Sequence, residues 1–159
     1  GFGEAGKKLL DLRAAVDKSK GVERAKGIDA FIDALVPAQR ERYADLMREV
    51  IDIDADGSAG LKGKYLLQTT YLDAINFYQQ GKLAEAGDSF FRIAKGEYLT
   101  NAQKQEAWYM GAYMYAMSET VDNELIISWL EEAITVDPEN EGTGQIRATI
   151  EQIKAGPKK

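Results

Sequence analysis

The run Asp52–Gly57 has aspartates at its first, third and fifth positions and a glycine at its sixth, a spacing suited to holding a cation. An EF-hand loop opens in this way, because alternating oxygen ligands wrap calcium while the glycine allows a tight turn. A complete loop also needs an apolar residue at position eight and a bidentate carboxylate at position twelve, where this chain has Ala59 and Gly63. We therefore interpret the run as a turn with capping aspartates and predict no metal and no cofactor.

Two further patterns have counterparts in nucleotide-binding or catalytic proteins. Gly1–Gly6 matches G-x-G-x-x-G, but that fingerprint works after a strand, and the sequence predicts none here, so we expect an N-terminal lead. The carboxylate pairs Glu131-Glu132 and Glu139 with Glu141 have the residue type for acid and base catalysis. The chain has no histidine and no cysteine to act beside them, so we expect solvated helix faces and no enzymatic activity.

Composition narrows the range of partners. The 159 residues carry 26 acidic and 20 basic side chains, a net charge of -6, which gives no attraction to nucleic acid or anionic lipid. The longest strongly apolar stretch, Ala107–Met117, is too short to cross a bilayer. We expect a soluble protein with no nucleic-acid partner and no membrane insertion. The sequence is compatible with a cytoplasmic, a bacterial periplasmic or an exported location.

Apolar residues recur at helical spacing through the chain, so we expect an all-α fold. Pro37 suits a first helical turn, Gly81 a left-handed helix end, and Asp122 a helix start. Thr100 and Gln103 have the spacing of a capping box. The eight expected helices span about 4–18, 22–35, 37–54, 58–80, 82–94, 100–117, 122–136 and 144–154.

The sequence also repeats internally. Placing Asp54 on Asp137 aligns 48–57 with 131–140 at an offset of 83 residues, close to two units of about 41. A helix pair carries more apolar surface than it buries alone, so stacked pairs would supply the missing burial. Small residues that would allow close helix approach are Ala74, Ala86, Ala112 and Ala133.

Two stretches carry a spaced pattern of aromatic and small residues. In one, the series runs through Trp108, Ala112, Tyr115, Ile126, Leu130, Ala133 and Pro138. In the stretch before it, the series is Ala74, Phe77, Gly81, Ala86, Phe90 and Ile93, with Thr70 in the tryptophan position. This pattern resembles the tetratricopeptide repeat, a helix-turn-helix of 34 residues, with Ala112 in the glycine position.

The resemblance implies antiparallel helical hairpins stacked as an α-solenoid. The single domain 1–159 would contain N-terminal helices and a degenerate hairpin at 4–54, repeats at 58–95 and 100–138, and a capping helix at 144–155. Such arrays bind extended peptides on a concave face lined by the first helix of each pair. The corresponding positions here are Gln68, Tyr71, Ile75, Tyr78, Gln79, Glu106, Tyr109, Tyr113, Ala116 and Met117. The lysine and asparagine that would clamp a C-terminal carboxylate are absent from them.

The resulting hypothesis is a non-catalytic module that binds a protein or peptide partner, within a longer multidomain parent chain. Tyrosine favours this use because it combines apolar area with a polar tip at a small entropic cost. The same tyrosines, with Tyr65, would instead form core if they pack against neighbouring helices. The alternative function is a helical protein that binds a small ligand in the same groove or a metal at the Asp52–Asp56 loop.

Overall fold

A computed structural model describes residues 2–156, and within this range all the regular structure is helical. The all-α prediction is confirmed. The elements are α1 (Phe2–Lys18), α2 (Gly21–Ala34), α3 (Pro37–Arg40), a 3-10 turn (Glu41–Tyr43), α4 (Ala44–Ile53), α5 (Lys62–Gln79), α6 (Leu83–Lys95), α7 (Asn101–Ser118), α8 (Asn123–Val136) and α9 (Thr143–Ala155). Since α1 begins at Phe2, Gly3 and Gly6 are helical rather than part of a lead, whereas Gly1 lies outside the described residues.

The local signals for helix ends act as expected. Gln103 N donates to Thr100 Oγ1 at 3.2 Å and Thr100 N donates to Gln103 Oε1 at 2.9 Å, which completes the capping box before α7. Asp122 accepts from Leu125 N at 2.9 Å and caps α8. After α5, Gly81 has a φ of +73°, and a hydrogen bond from Lys82 N to Phe77 O closes the helix end.

The chain divides into two compact units, Gly1–Thr69 and Thr70–Lys159. In the first, α1 packs on α2 and α2 on α4 around a core whose apolar members include Val16, Ile28, Ile32 and Val50. The expected helix from Pro37 is interrupted by the 3-10 turn at Glu41–Tyr43. There the Tyr43 ring meets Phe31 edge-on, with centroids 4.9 Å apart.

Two polar groups tie the helices of the first unit together. Arg24 donates to Val16 O at 2.9 Å and forms a bidentate ion pair with Glu49, so it joins α1, α2 and α4. Lys64 contacts Asp29 at 2.7 Å and Asp33 at 2.8 Å, and these bonds raise the pKa of Lys64 even though burial alone would lower it. Charge-assisted hydrogen bonds thus join segments that are distant in sequence.

In the second unit, α7 packs against α6 and α8, and α8 packs against α9. Four rings form a continuous cluster between the first three of these helices: Phe91, Trp108, Tyr115 and Trp129. Phe91 is central, because its ring lies within 5.7 Å of the other three. The Tyr115 hydroxyl donates to the Asp88 carboxylate, and burial followed by this contact raises the pKa of Tyr115 to about 12.

Close approach of α6 and α7 depends on Gly87 and Gly111. A Cβ on Gly111 would lie 2.3 Å from Phe91 Cε1, and one on Gly87 would lie 2.5 Å from Tyr115 Cδ2. Gly111 is thus a small residue that admits the neighbouring Phe91 ring, and the adjacent Ala112 is also fully buried.

Gly111→Ala is expected to destabilise the protein by about 2 kcal/mol, because the added methyl overlaps a ring held on several sides. This cost exceeds the gain of up to about 1 kcal/mol that alanine brings to a helix interior. Gly144→Ala is the matched control, since nothing lies within 4 Å of its added Cβ in α9. Urea unfolding measures both, and equal stabilities of the two variants would contradict the packing argument.

Candidate functional site

In the Asp52–Asp56 loop, the central carboxylate accepts hydrogen bonds from backbone N–H groups. Asp54 is 2% exposed, and its two oxygens accept from the N–H groups of Ala59 at 2.8 Å, Leu61 at 2.9 Å and Lys62 at 2.9 Å. Burial would raise the pKa of Asp54, but these three bonds outweigh it and lower the pKa. Three of the roughly four lone-pair positions of this carboxylate are therefore occupied by backbone donors. The described residues also contain no cluster of three acidic, histidine or cysteine side chains placed to hold a metal.

The internal alignment has a geometric counterpart in this loop. Asp54 and Asp137 are the C-caps of α4 and α8. Gly57 N donates to Asp54 O and Gly60 N to Gly57 O, while Asn140 N donates to Asp137 O and Thr143 N to Asn140 O. The two loops thus share two consecutive turns in the register of the alignment. They differ afterwards, because the Asp54 carboxylate also accepts from Leu61 N and Lys62 N, and α5 begins at Lys62 rather than near Ser58.

The predicted groove residues differ widely in exposure. Ile75, Tyr78 and Tyr113 are 50%, 59% and 49% exposed, and Gln79 and Glu106 also face solvent. The half-buried members are Gln68, Tyr71, Tyr109, Ala116 and Met117. Gln68 belongs to the first compact unit and the others to the second. Tyr65, in contrast, is fully buried and donates to Asp29 at 2.6 Å, so it is a core residue.

A cleft of about 420 Å³ lies between α7 and the start of α9, within the second unit. It includes two of the predicted groove residues, Glu106 and Tyr109. The lining residues are Ala102, Gln103, Gln105, Glu106, Tyr109, Asn140, Gly142, Gln145 and Ile146. A concave, mostly preformed surface with a few polar groups is the usual form of a ligand site.

Gln105 forms the floor of this cleft and fixes its shape. It is 4% exposed, and its Nε2 lies 3.1 Å from Ala133 O, 2.9 Å from Asp137 O and 3.0 Å from Thr143 Oγ1, three acceptors that share its two hydrogens. The Thr143 hydroxyl donates to Asp137 O at 3.0 Å. One buried amide therefore joins α7, which forms one wall, to the end of α8 and to the start of α9, which forms part of the other wall.

Glu106 supplies the charge of the cleft. Of its nine described lining residues, Glu106 alone is charged at neutral pH. The pKa of the Tyr71 hydroxyl is raised by burial first and by the nearby Glu106 carboxylate second. Two predicted groove positions, on α5 and α7, thus lie near each other. The cleft can accept hydrogen bonds and positive charge.

Sequence reasoning missed Gln105 and the wall formed by Asn140, Gly142, Gln145 and Ile146. A signal for Gln105 existed, because it lies three and seven residues before the buried Trp108 and Ala112 and so on the apolar stripe of α7. The wall on α9 had no such signal. It depends on where the 137–142 loop directs α9, which the aligned turns and the Gln105 amide decide together.

Fold and cleft together define an all-α helical protein with a preformed, acidic cleft. Residues 61–159 match the protein family described as "Uncharacterised protein C-terminal domain". The chain belongs to this family. Its matched part contains α5 to α9 and hence the complete cleft.

One curated relative is an "Uncharacterized protein" of Treponema pallidum (strain Nichols), which is 33% identical over 147 residues. The alignment covers 92% of this chain and 49% of the relative, so the chain spans about half the relative's length. No solved structure matches significantly. Within residues 2–156, none of the helices has the length and apolar character that a transmembrane span requires.

Proposed function

We propose that this chain is a non-catalytic, tetratricopeptide-like helical module that binds an extended segment of a protein partner. The observation that carries the proposal is the cleft between α7 and α9, which has two of the predicted groove residues, Glu106 and Tyr109, in its wall. In the family that the sequence resembles, ligand-binding residues lie on the first helix of each pair, and α7 holds that place here.

The surface of α7 supports an extended ligand rather than a compact one. Glu106, Tyr109 and Tyr113 follow one another at helical spacings of three and four, so they lie on one side of the helix. Seven residues of helix rise about 10 Å, which is the length of about three residues of extended peptide. A bound segment that enters the cleft would therefore reach Tyr113 three residues further along. That side chain is half exposed, so its aromatic ring can contact the bound segment.

The packing of the second unit supports the stacked-hairpin architecture. Helices α6, α7, α8 and α9 each contact the next one along the chain, as consecutive hairpins would. The rings of Tyr71 and Phe90 join α5 to α6, with centroids 5.0 Å apart. The shared turns after Asp54 and Asp137 add a repeated connection at the expected offset.

Tyr113→Ala tests this function. Peptides are selected from a random 12-residue phage library on the immobilised chain, and their affinity is measured by fluorescence polarisation. We expect the variant to bind the selected peptides about tenfold more weakly, since an exposed interface tyrosine contributes on the order of 1 to 2 kcal/mol. Its unfolding curve should match that of the unmodified chain, because the ring is half exposed.

Leu125→Ala is the control, since it removes an exposed apolar side chain of α8 that lies outside the predicted groove positions. Its peptide affinity should not change. Failure to select any peptide, or equal losses in both variants, would contradict a peptide groove on α7.

The alternative function, binding of a small ligand, draws on the same cleft, whose volume of about 420 Å³ is within the range of small-molecule sites. A thermal-shift screen of small amines and aromatic compounds distinguishes the two. Stabilisation by such compounds, with no peptide selected, would favour the alternative.

A further inference from the structure

The orientation of the Gln105 amide is fixed by chemistry. Two of its three Nε2 partners, Ala133 O and Asp137 O, are carbonyl oxygens that can only accept. The nitrogen must therefore face them, and Oε1 points the opposite way, toward Gly142 on the wall of the cleft. No described group donates to this oxygen. A buried residue thus presents an unused acceptor to the cleft.

A second amide oxygen flanks the same space. A Cβ on Gly142 would lie 3.2 Å from Gln105 Oε1 and 3.2 Å from Asn140 Oδ1. Because Gly142 has no side chain, the space between these two oxygens stays open. The Asn140 oxygen already accepts from Gly142 N at 2.8 Å and keeps a second lone pair.

The charge around the cleft has one sign. Glu106 is the charged member of its described lining, and the loop that forms one wall carries Asp137, Glu139 and Glu141 with no basic residue between them. The nearest basic side chains in sequence are Lys104 and Arg147, and neither lines the cleft. Two amide oxygens and a carboxylate select a ligand with several N–H donors and a positive charge.

We propose that the cleft between α7 and α9 receives an arginine side chain from the extended partner segment. A planar guanidinium has five N–H donors in a fixed fork, so it can bind Glu106 and the Gln105 oxygen at once. The Tyr109 ring in the same wall provides a face for the guanidinium plane. Lysine has a single, strongly hydrated point charge and matches this set of acceptors less well. This inference rests on the proposed function and names the residue type that it recognises.

The test uses four capped 9-residue peptide pools bound to the whole chain, with random flanks and a central arginine, lysine, citrulline or glutamate. Citrulline keeps the shape of arginine and removes its charge. We expect the arginine pool to bind about tenfold more tightly than the citrulline pool, because hydrogen bonds between charged groups are stronger than those of a neutral donor. The lysine pool should fall between them, and the glutamate pool should bind most weakly.

Two variants assign the preference to this cleft. Glu106→Gln should remove most of the difference between the arginine and citrulline pools, with the larger loss of affinity in the arginine pool. Gly142→Ala should weaken the arginine pool, because its methyl enters the space between the two amide oxygens. Glu132→Gln, an exposed carboxylate on α8, and Gly144→Ala, on open surface of α9, are the matched controls and should keep the preference.

The outcomes separate this inference from the proposed function. Peptide binding with equal affinity for the arginine and citrulline pools, or tighter binding of lysine or glutamate, overturns the arginine pocket and leaves the peptide groove standing. No binding by any pool overturns both. Binding of free arginine amide as tight as that of the arginine pool overturns the extended segment and supports the small-ligand alternative. Arginine preference that survives Glu106→Gln overturns the location.

Discussion

Asp54→Ala is expected to lower the free energy of unfolding by about 3 kcal/mol. This is one of the two largest effects that the structure predicts. The substitution leaves the N–H groups of Ala59, Leu61 and Lys62 without their acceptor in a loop where Asp54 is 2% exposed. Each buried donor left unpaired costs on the order of 1 to 3 kcal/mol, and loop relaxation into water recovers part of the total. Urea unfolding followed by circular dichroism measures the change.

The same contacts predict a pH dependence. The pKa of Asp54 is lowered in the folded protein, so its contribution to stability is complete above the unfolded-state pKa of about 3.9. That contribution is lost as the pH falls through the lower folded-state pKa, where the carboxylate is protonated. Asp54→Ala should therefore lose less stability relative to the unmodified chain in strong acid than at pH 7.

Asp52→Ala is the control, because Asp52 is exposed in the same acidic run. It should leave stability nearly unchanged. Equal unfolding curves for the two variants would mean that the loop does not depend on the Asp54 carboxylate. Calcium that protects the unmodified chain against urea at micromolar concentration would restore the EF-hand interpretation instead.

Helix ends governed by neighbours in sequence are predictable here, and those governed by distant contacts are not. The Thr100 capping box, the Asp122 cap and the Gly81 helix end each depend on groups within five residues of one another. The start of α5 depends on a carboxylate eight residues away from Lys62, which holds the intervening chain out of the helix. The helix propensity of the residues near Ser58 does not predict that contact.

Spacing locates a small residue on a helix face but not the neighbour that requires it. The pattern correctly placed Ala86, Ala112 and Ala133 in the interior. It did not indicate Gly111, whose requirement for a small residue depends on the position of the Phe91 ring across the helix interface. The same limit applies to the candidate site. Glu106 and Tyr109 are predictable from the sequence of α7, whereas the opposite wall belongs to α9.

Gln105 connects the sequence of α7 to the position of the opposite wall. Its buried amide on α7 determines where the next two elements lie. Its nitrogen satisfies the carbonyls of Ala133 and Asp137 and reaches Thr143 at the start of α9. An apolar residue at this position would bury itself equally well. It would leave the Ala133 carbonyl without its side-chain donor and α9 with fewer contacts to hold its first turn.

Gln105→Leu is therefore expected to lower the free energy of unfolding by about 3 kcal/mol. The buried Ala133 carbonyl loses its side-chain donor at a cost on the order of 1 to 3 kcal/mol, and the lost bonds to Asp137 O and Thr143 Oγ1, which keep other partners, add on the order of 1 kcal/mol. Gln152→Leu, on an exposed position of α9, should have little effect under the same urea unfolding assay. If Gln105→Leu is as stable as that control, the amide does not determine the packing of α8 and α9.

Gln105→Glu sharpens the test, because an ionised carboxylate would face the same two carbonyl oxygens in a buried site. Ionisation is then disfavoured in the folded state, and the pKa of the introduced carboxyl should rise above its unfolded value of about 4.3. A group with a raised folded-state pKa stabilises the fold below the unfolded-state value and loses that contribution as the pH rises. The variant should therefore be closest to the unmodified chain near pH 4 and least stable relative to it at pH 7, opposite in sign to the behaviour expected at Asp54. Stability that is unchanged at pH 7 would show that the amide nitrogen is not required where the structure places it.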